Sequence, residues 1–513
     1  MTALLSLSLL LFGLRLWATS FVGFGDSEAL YASWAVHPQP AYLDHPGLIG
    51  IVARAIGEGA SPSPARAHFV TTVIATSMPW LFVATARALG APRERALRMG
   101  LVVAVVPELA VGLFALTPDL VLAPLWLGAI ALAAIALRGP RGSTGSAAAF
   151  VGAGLAAGVA ASAKVSGLLL VAALASAYLA IGRSRTPSAA VVRTPWPWAG
   201  IAVGLVTIVP IVLYEARSGM PMLRHRFVDT QTGAGLAAAN VGALVGGQLV
   251  YLSPVLAWTA AALGRYLVRA RNDDATTLLL FWCFALPIAP LVLLCLWSRV
   301  AEPHWIAPAL LALPLYGACA DALPKATVRA VRWGAALAAL VTLAAHLWVL
   351  LPASARLVPE GADPKLDIAN ELYGWPTAVE AVRDEMKLAA TPADPEGREV
   401  VVVGPHWTIC AQLHAAMPDV RVGCATPIRD DFDGWVPRDE WRRAADVLWV
   451  TDNRYAADGT DQLPTHVRVS EGKVRTFRGG RSVRLFSLYL YSRRGAARKD
   501  RAVHGDALAE QEQ

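Results

Sequence analysis

Charge is what this chain has least of. Of its 513 residues only 16% are Asp, Glu, Lys or Arg, against roughly 25% in soluble proteins. That deficit excludes an ordinary soluble globule. Cysteine is scarce too, five in all, and the spacing fits no zinc site. Cys283, Cys295 and Cys319 fall in or at the ends of apolar runs and read as inert core residues. Cys410 and Cys424 lie in a polar region and can pair if it faces an oxidising compartment. Met1 to Phe24 lacks a charged leading region and a small-residue cleavage site, so it reads as a retained first span. The net charge of +7 is modest and supports no nucleic-acid role. Arginines in short membrane loops account for it.

Long apolar runs are present in abundance. Residues 1–351 consist mostly of runs of about 20 residues, the length that spans ~30 Å of hydrocarbon. About eleven spans are expected, near 3–22, 67–86, 99–116, 120–137, 148–163, 166–182, 198–214, 244–264, 276–297, 305–321 and 332–351. The expected class is therefore an α-helical polytopic membrane protein. Residues 352–492 have the composition of a small soluble α/β domain, and 493–513 form a polar tail without apolar period. Within the α/β domain, 376–389 reads as an amphipathic helix and 398–405 as a buried strand. A helix at 408–417 and strands at 420–424, 446–451 and 481–491 follow.

Basic residues are distributed unevenly among the short loops. One alternate set holds Arg87, Arg93, Arg95, Arg98, Arg138, Arg141, Arg183, Arg185, Arg193, Arg265, Arg269, Arg271, Lys325, Arg329 and Arg332. The other set is sparse. The positive-inside rule makes the basic set cytoplasmic, which places the α/β domain outside. Nearly every polar group that interrupts the apolar pattern then falls on the outer side: Asp26 to His45, Asp119, Lys164, Arg217 to Arg226 and Arg299 to His304. Convergence on one face points to a single site.

The densest of these groups is the connection Gly25 to Leu48, with Asp26, Glu28, His37, Asp44 and His45 beside Tyr31, Trp34 and Tyr42. Capping explains Asp26, Glu28, Asp44 and Asp119 as well as chemistry does, since each stands at a helix start. The alternative is a carboxylate that takes a proton from an acceptor hydroxyl. Lys164 in ASAKVSG costs roughly 2.5–3.5 kcal/mol at mid-bilayer unless it snorkels or meets an anion. Arg224, His225 and Arg226 form a cationic group against the positive-inside trend. A lipid phosphate or pyrophosphate accounts for it better than a solvated loop. Arg299, Glu302, His304 and Trp305 mark another outer loop.

In order, the chain has an acidic pair (Asp26, Glu28), a Tyr42-x-Asp44-His45-Pro46 turn, TPD at Thr117 to Asp119, and Lys164 after a small-residue helix. GGQLVYLSP at Gly246 to Pro254, Glu302 with Trp305, DIANELYGW at Asp367 to Trp375 and DDFDGW at Asp430 to Trp435 come later. Together these resemble the GT-C glycosyltransferases, specifically the bacterial protein O-mannosyltransferase-like family 39 group, with aminoarabinose transferases a related branch. The resemblance implies a GT-C fold and inverting transfer of a sugar from a polyprenyl-phosphate donor to an acceptor hydroxyl. Asp26 is then the expected base, with Glu28, Asp44 and Asp119 shaping the site. His45, Lys164, Arg224, His225, Arg226 and Arg299 are the expected phosphate partners, with Tyr42, Glu302, His304 and Trp305 nearby. No cofactor is required; the carboxylates could hold a divalent cation. The expected partners are the lipid-linked donor, membrane lipids and an acceptor the sequence does not identify. A transporter or flippase is the main alternative, and it would favour mid-span charges, broken helices and two similar halves. The sequence shows no internal repeat and its polar groups gather at one surface, and eleven spans exceed what a scaffold or anchor needs.

Overall fold

The computed structural model describes residues 1–359, 361–389 and 399–494. They form two compact units, one of Met1–Val22 with Pro38–Leu350, the other of Gly23–His37 with the chain from Leu351 onward. The linear reading did not anticipate that Gly23–His37 would group with the C-terminal part. From residue 495 the polar tail lies outside the described residues.

The first unit is helical, and every expected span coincides with helix. Pro64–Ala88, Pro118–Arg138, Thr144–Ala163, Ala275–Trp297 and Lys325–Leu350 are long and apolar enough to cross a membrane. Thr2–Ala18 and Gly167–Arg183 are shorter apolar helices. Four expected spans are not continuous. Arg93–Val105 meets Pro107–Phe114 at 70°, Trp196–Thr207 meets Val209–Ser218 at 40°, and Ala238–Tyr251 meets Pro254–Ala270 at 103°. The expected span at 305–321 is divided among Pro303–Ile306, Ala307–Leu310 and Ala312–Cys319. Counting each bent pair once gives up to eight crossing segments among the described residues, by length and composition.

Proline explains the breaks. Pro107, Pro210 and Pro254 each stand in the first turn of the second half, where a missing N–H is harmless. At the sharpest bend Ser253 takes φ 78°. Its hydroxyl accepts from the Leu256 N–H and donates to the Gly334 carbonyl, which replaces the lost helical bonds. The GGQLVYLSP motif is thus a corner.

Two glycine pairs set a close helix contact. Gly154 and Gly158 of Thr144–Ala163 meet Gly200 and Gly204 of Trp196–Thr207. A Cβ on Gly154 would strike the Gly200 carbonyl, and one on Gly158 the Gly204 carbonyl. Both helices carry small-xxx-small spacing, which lets backbones approach closely in membranes. Gly158→Val is therefore expected to cost roughly 3 kcal/mol or more, because backbone cannot yield as a side chain can. Thermal unfolding in detergent measures this, and an unchanged midpoint would contradict the backbone contact.

The second unit holds one five-stranded sheet of order β2-β1-β3-β5-β4. The strands are β1 Val400–Gly404, β2 Val422–Cys424, β3 Asp446–Asp452, β4 His466–Arg478 and β5 Arg481–Arg493. β1 pairs in parallel with β2 and β3, while β5 runs antiparallel to β3 and β4. Val400 to Val403 are all buried, as the unbroken β-branched run predicts for a strand covered on both faces. β4 was not expected; its charged residues mask the alternation of an edge strand. The β4–β5 turn is Gly479-Gly480, both at positive φ (59° and 84°), as a two-residue hairpin turn demands. Helices Trp375–Ala389 and Trp407–Ala416 match the expected ones. Cys410 and Cys424 form a disulfide that ties the second of these helices to β2, with Cα atoms 6.0 Å apart.

Candidate functional site

In the first unit, polar side chains collect around one indole. Lys164 caps the C-terminus of Thr144–Ala163, and Asp119 lies in the first turn of Pro118–Arg138. Lys164 Nζ donates to Asp119 Oδ2 at 2.7 Å, and its side chain is only 7% exposed. His304 joins them, Nε2 lying 3.6 Å from Asp119 Oδ2 and Nδ1 3.1 Å from Glu302 Oε2. Trp305 lies beneath two cations, with Lys164 Nζ 5.8 Å and the Arg226 guanidinium 5.2 Å from its ring centre. Arg226 in turn reaches the 38–47 loop. Its Nη1 is 3.4 Å from Asp44 Oδ1, and its Nε donates to the Asp44 carbonyl at 3.3 Å.

That loop is held by its own residues. The Tyr42 N–H donates to the His45 carbonyl at 2.9 Å, and the Tyr42 hydroxyl accepts from the Gln39 N–H at 3.1 Å. Tyr42 is therefore a buried prop for the Asp44-His45 turn. His45 is buried as well. Desolvation pushes its imidazole well below the usual range, and the charges of Arg226, Lys164 and His304 push the same way. It is neutral at pH 7, so it can offer a hydrogen bond but no charge. Burial likewise lowers His225, against the pull of Asp44 3.9 Å away. The expected cationic trio thus reduces in this group to Arg226. Arg224 is exposed and pairs with Asp229 at 3.4 Å. Arg299 donates to the Thr232 carbonyl at 2.8 Å, on the 229–233 turn. Among the described residues, the cations over the Trp305 ring are Lys164 and Arg226. The hydrogen bond from His304 chiefly holds the Glu302 carboxyl below its usual range, burial opposing it and nearby cations assisting.

Asp26 sits in a different group, in the second unit. The helix Asp26–Ser33 packs on Trp407–Ala416. Gly25, not Asp26, is its N-cap, and the Glu28 carboxylate reaches back to the Gly25 N–H at 2.9 Å. Glu28 thus serves the cap. Asp26 is buried, and its Oδ2 receives Arg454 Nη1 at 2.6 Å while Oδ1 receives Gln412 Nε2 at 3.2 Å. Capping does not account for its side chain.

Sequence reasoning missed Arg454, Gln412, Asp452 and Glu371, which surround Asp26 from far along the chain. It also missed Glu108, in the short helix Pro107–Ala110, within electrostatic reach of Asp119 and Lys164. Glu108 Oε1 is buried without a hydrogen-bond partner among the described residues. A carboxylate inside an apolar run was the signal that could have found it. Among the described residues no group of three or more His, Cys, Asp or Glu side chains is arranged to hold a metal ion.

The family model for dolichyl-phosphate-mannose-protein mannosyltransferase matches residues 48–214, the stretch that includes Asp119 and Lys164. The crystal structure of ArnT from Cupriavidus metallidurans bound to undecaprenyl phosphate is similar over 95% of this chain and 97% of that one. Its TM-score is 0.60 at 17% identity. The apo state of the same protein gives 0.57 at 16% identity, with the same coverage of both chains. The apo Archaeoglobus fulgidus oligosaccharyltransferase gives 0.51 at 12% identity, over 87% of this chain and 69% of that one. No curated protein matches by sequence. The shared architecture is the GT-C glycosyltransferase fold, as the motif order implied, and the chain is a multi-pass membrane protein.

Proposed function

We propose that this protein is a membrane glycosyltransferase that moves a sugar from a polyprenyl-phosphate donor to an acceptor hydroxyl. The observation that carries this reading is the pair of cations, Lys164 and Arg226, over the one indole of Trp305 in a unit of apolar helices. A lipid phosphate joins a charged head to an apolar tail, and such a site answers both. The structurally similar ArnT holds undecaprenyl phosphate, which favours the same class of ligand here.

In the proposed reaction a carboxylate, for which the sequence nominates Asp26, takes the proton of the acceptor hydroxyl. The freed oxygen bonds to the anomeric carbon from the face opposite the phosphate, and the carbon–phosphate-oxygen bond breaks. Polyprenyl phosphate leaves with the bonding pair, and the anomeric configuration inverts. Lys164 and Arg226 stabilise the charge that grows on the departing phosphate. His45 and Trp305 shape its surroundings, and Asp44, Asp119, Glu302 and His304 hold the cations in place. We assign the chemistry to the outer face of the cytoplasmic membrane, where nucleotide sugars are absent. The arginine-poor set of loops and the Cys410–Cys424 disulfide support that side.

Purified protein in lipid, given a panel of polyprenyl-phosphate sugars with and without a divalent cation, is expected to release polyprenyl phosphate. Movement of lipid or solute across vesicles without release of polyprenyl phosphate from any donor would favour a transporter and overturn the proposal.

A further inference from the structure

The second unit contains an arrangement that the transferase reading leaves unused. Gln412, on the helix that the disulfide ties to β2, donates from one amide nitrogen to two groups of the 23–37 segment. These are the Phe24 carbonyl at 2.8 Å and Asp26 Oδ1 at 3.2 Å. Arg454 follows β3 and is fixed from behind. Asp452 accepts from the Arg454 backbone N–H at 2.9 Å and from its Nε at 2.9 Å. The guanidinium lies over Tyr455, 5.5 Å from the ring centre, and Tyr455 stacks on His406 at 3.9 Å with planes 8° apart. Bound at Nε and shelved on an aromatic face, Arg454 has one geometry, and it presents Nη1 to Asp26 Oδ2.

A carboxylate offers about four lone-pair sites. Among the described residues one donor engages each oxygen, so the carboxylate is oriented yet keeps a lone pair on each for a further donor. Sharing Arg454 between Asp26 and Asp452 divides its hold on either. A pair kept only for stability would be poorly chosen, since buried ion pairs often gain nothing over apolar packing. Pre-organised orientation of one reacting group is what such a pair supplies well.

We propose that Arg454 and Gln412 are positioning residues for the Asp26 carboxylate, and that orienting this base is a task of the C-terminal α/β unit. The proposal rests on the transferase reading with Asp26 as base. It explains why Gly23–His37, distant in sequence from residues 351–494, is packed into their unit.

The charged and titratable groups around Asp26 are Glu28 on its own helix, Glu371 on the 368–372 turn, Asp452 and Arg454, Arg484 on β5, and His406 with Tyr455. Burial, then the Arg454 charge, lowers His406 to about 4, so it is neutral near pH 7. Burial, then the Asp26 charge, raises Glu371. Arg454 is the cation in direct contact with Asp26. Removing it should let the carboxylate turn away from the acceptor, which lowers turnover and spares donor binding.

The experiment compares native full-length protein in lipid with Arg454→Ala, Arg454→Lys and Gln412→Ala, using a donor that the native protein turns over. Arg454→Ala is expected to lower kcat about 30-fold or more, with the donor KM within about twofold. Added guanidinium should restore part of the rate of Arg454→Ala, and Gln412→Ala should lower kcat with the donor KM likewise held. A folded Arg454→Ala with kcat within about threefold of native, or with its loss in donor KM rather than in kcat, overturns the proposal alone. Should Arg454→Ala fail to fold, Arg454→Lys is read by the same two criteria. Native protein that turns over no donor overturns the transferase reading and this proposal with it.

Discussion

Lys164→Met is expected to lower sugar transfer about 100-fold or more, the usual cost of removing one donor aimed at developing negative charge. Methionine keeps the length and apolar character of the lysine stem, so packing beside Trp305 changes little. What disappears is the ammonium 2.7 Å from Asp119, and with it half of a largely buried pair. Leaving one member of such a pair alone costs roughly 3–5 kcal/mol, so a loss of activity in the single variant could reflect misfolding. The double variant Lys164→Met with Asp119→Asn separates the two effects. Neutralising Asp119 removes the stranded charge and should restore the yield and thermal midpoint of folded protein, while transfer stays low. Lys164→Arg should hold stability, with less transfer because its planar fork differs from a compact ammonium. Transfer by the double variant within about tenfold of native would remove Lys164 from the donor site.

Lys164 and Asp119 were legible because local rules exposed them. A lysine between apolar runs and a TPD at a span head both break the hydropathy pattern. Proline and glycine were equally visible, yet their consequence was not. Pro107, Pro210 and Pro254 each mark a bend, but the pattern alone showed one continuous apolar run. The neutral state of His45 and His225 depends on burial, which no spacing reveals. Long-range contacts were the hardest to see. Asp26 meets Gln412 and Arg454 across 386 and 428 residues, and neither partner lies in a recognisable motif. The acidic pair Asp26 and Glu28 looked like one functional unit, but the fold separates their roles. Glu28 turns back to the cap at Gly25, whereas Asp26 turns toward the sheet domain. Motif order recovered the GT-C fold because it records which residues stand at helix ends. It could not record what the α/β unit contributes, since that is set by packing among its own buried side chains.

Asp26→Asn is expected to have the largest effect, a fall in transfer of about 10³ with donor binding retained, because a general base typically contributes 10²–10⁴. Asparagine has the same shape, and its carbonyl can still accept from Arg454 Nη1. The other position becomes an NH₂ that faces Gln412 Nε2, donor against donor. Gln412 cannot relieve this by turning over, since its carbonyl would then meet the Phe24 carbonyl that its Nε2 now serves at 2.8 Å. One buried hydrogen bond is therefore lost, at about 1–3 kcal/mol, and Arg454 keeps its charge partner in Asp452. The variant should fold with a lowered midpoint, and its activity can be read. Combining it with Gln412→Ala removes the clash of donors and should recover much of the stability but none of the transfer. Transfer by folded Asp26→Asn within about tenfold of native would place the base elsewhere. Asp44 would be the next carboxylate to replace, since its Oδ1 contacts Arg226 of the proposed phosphate site.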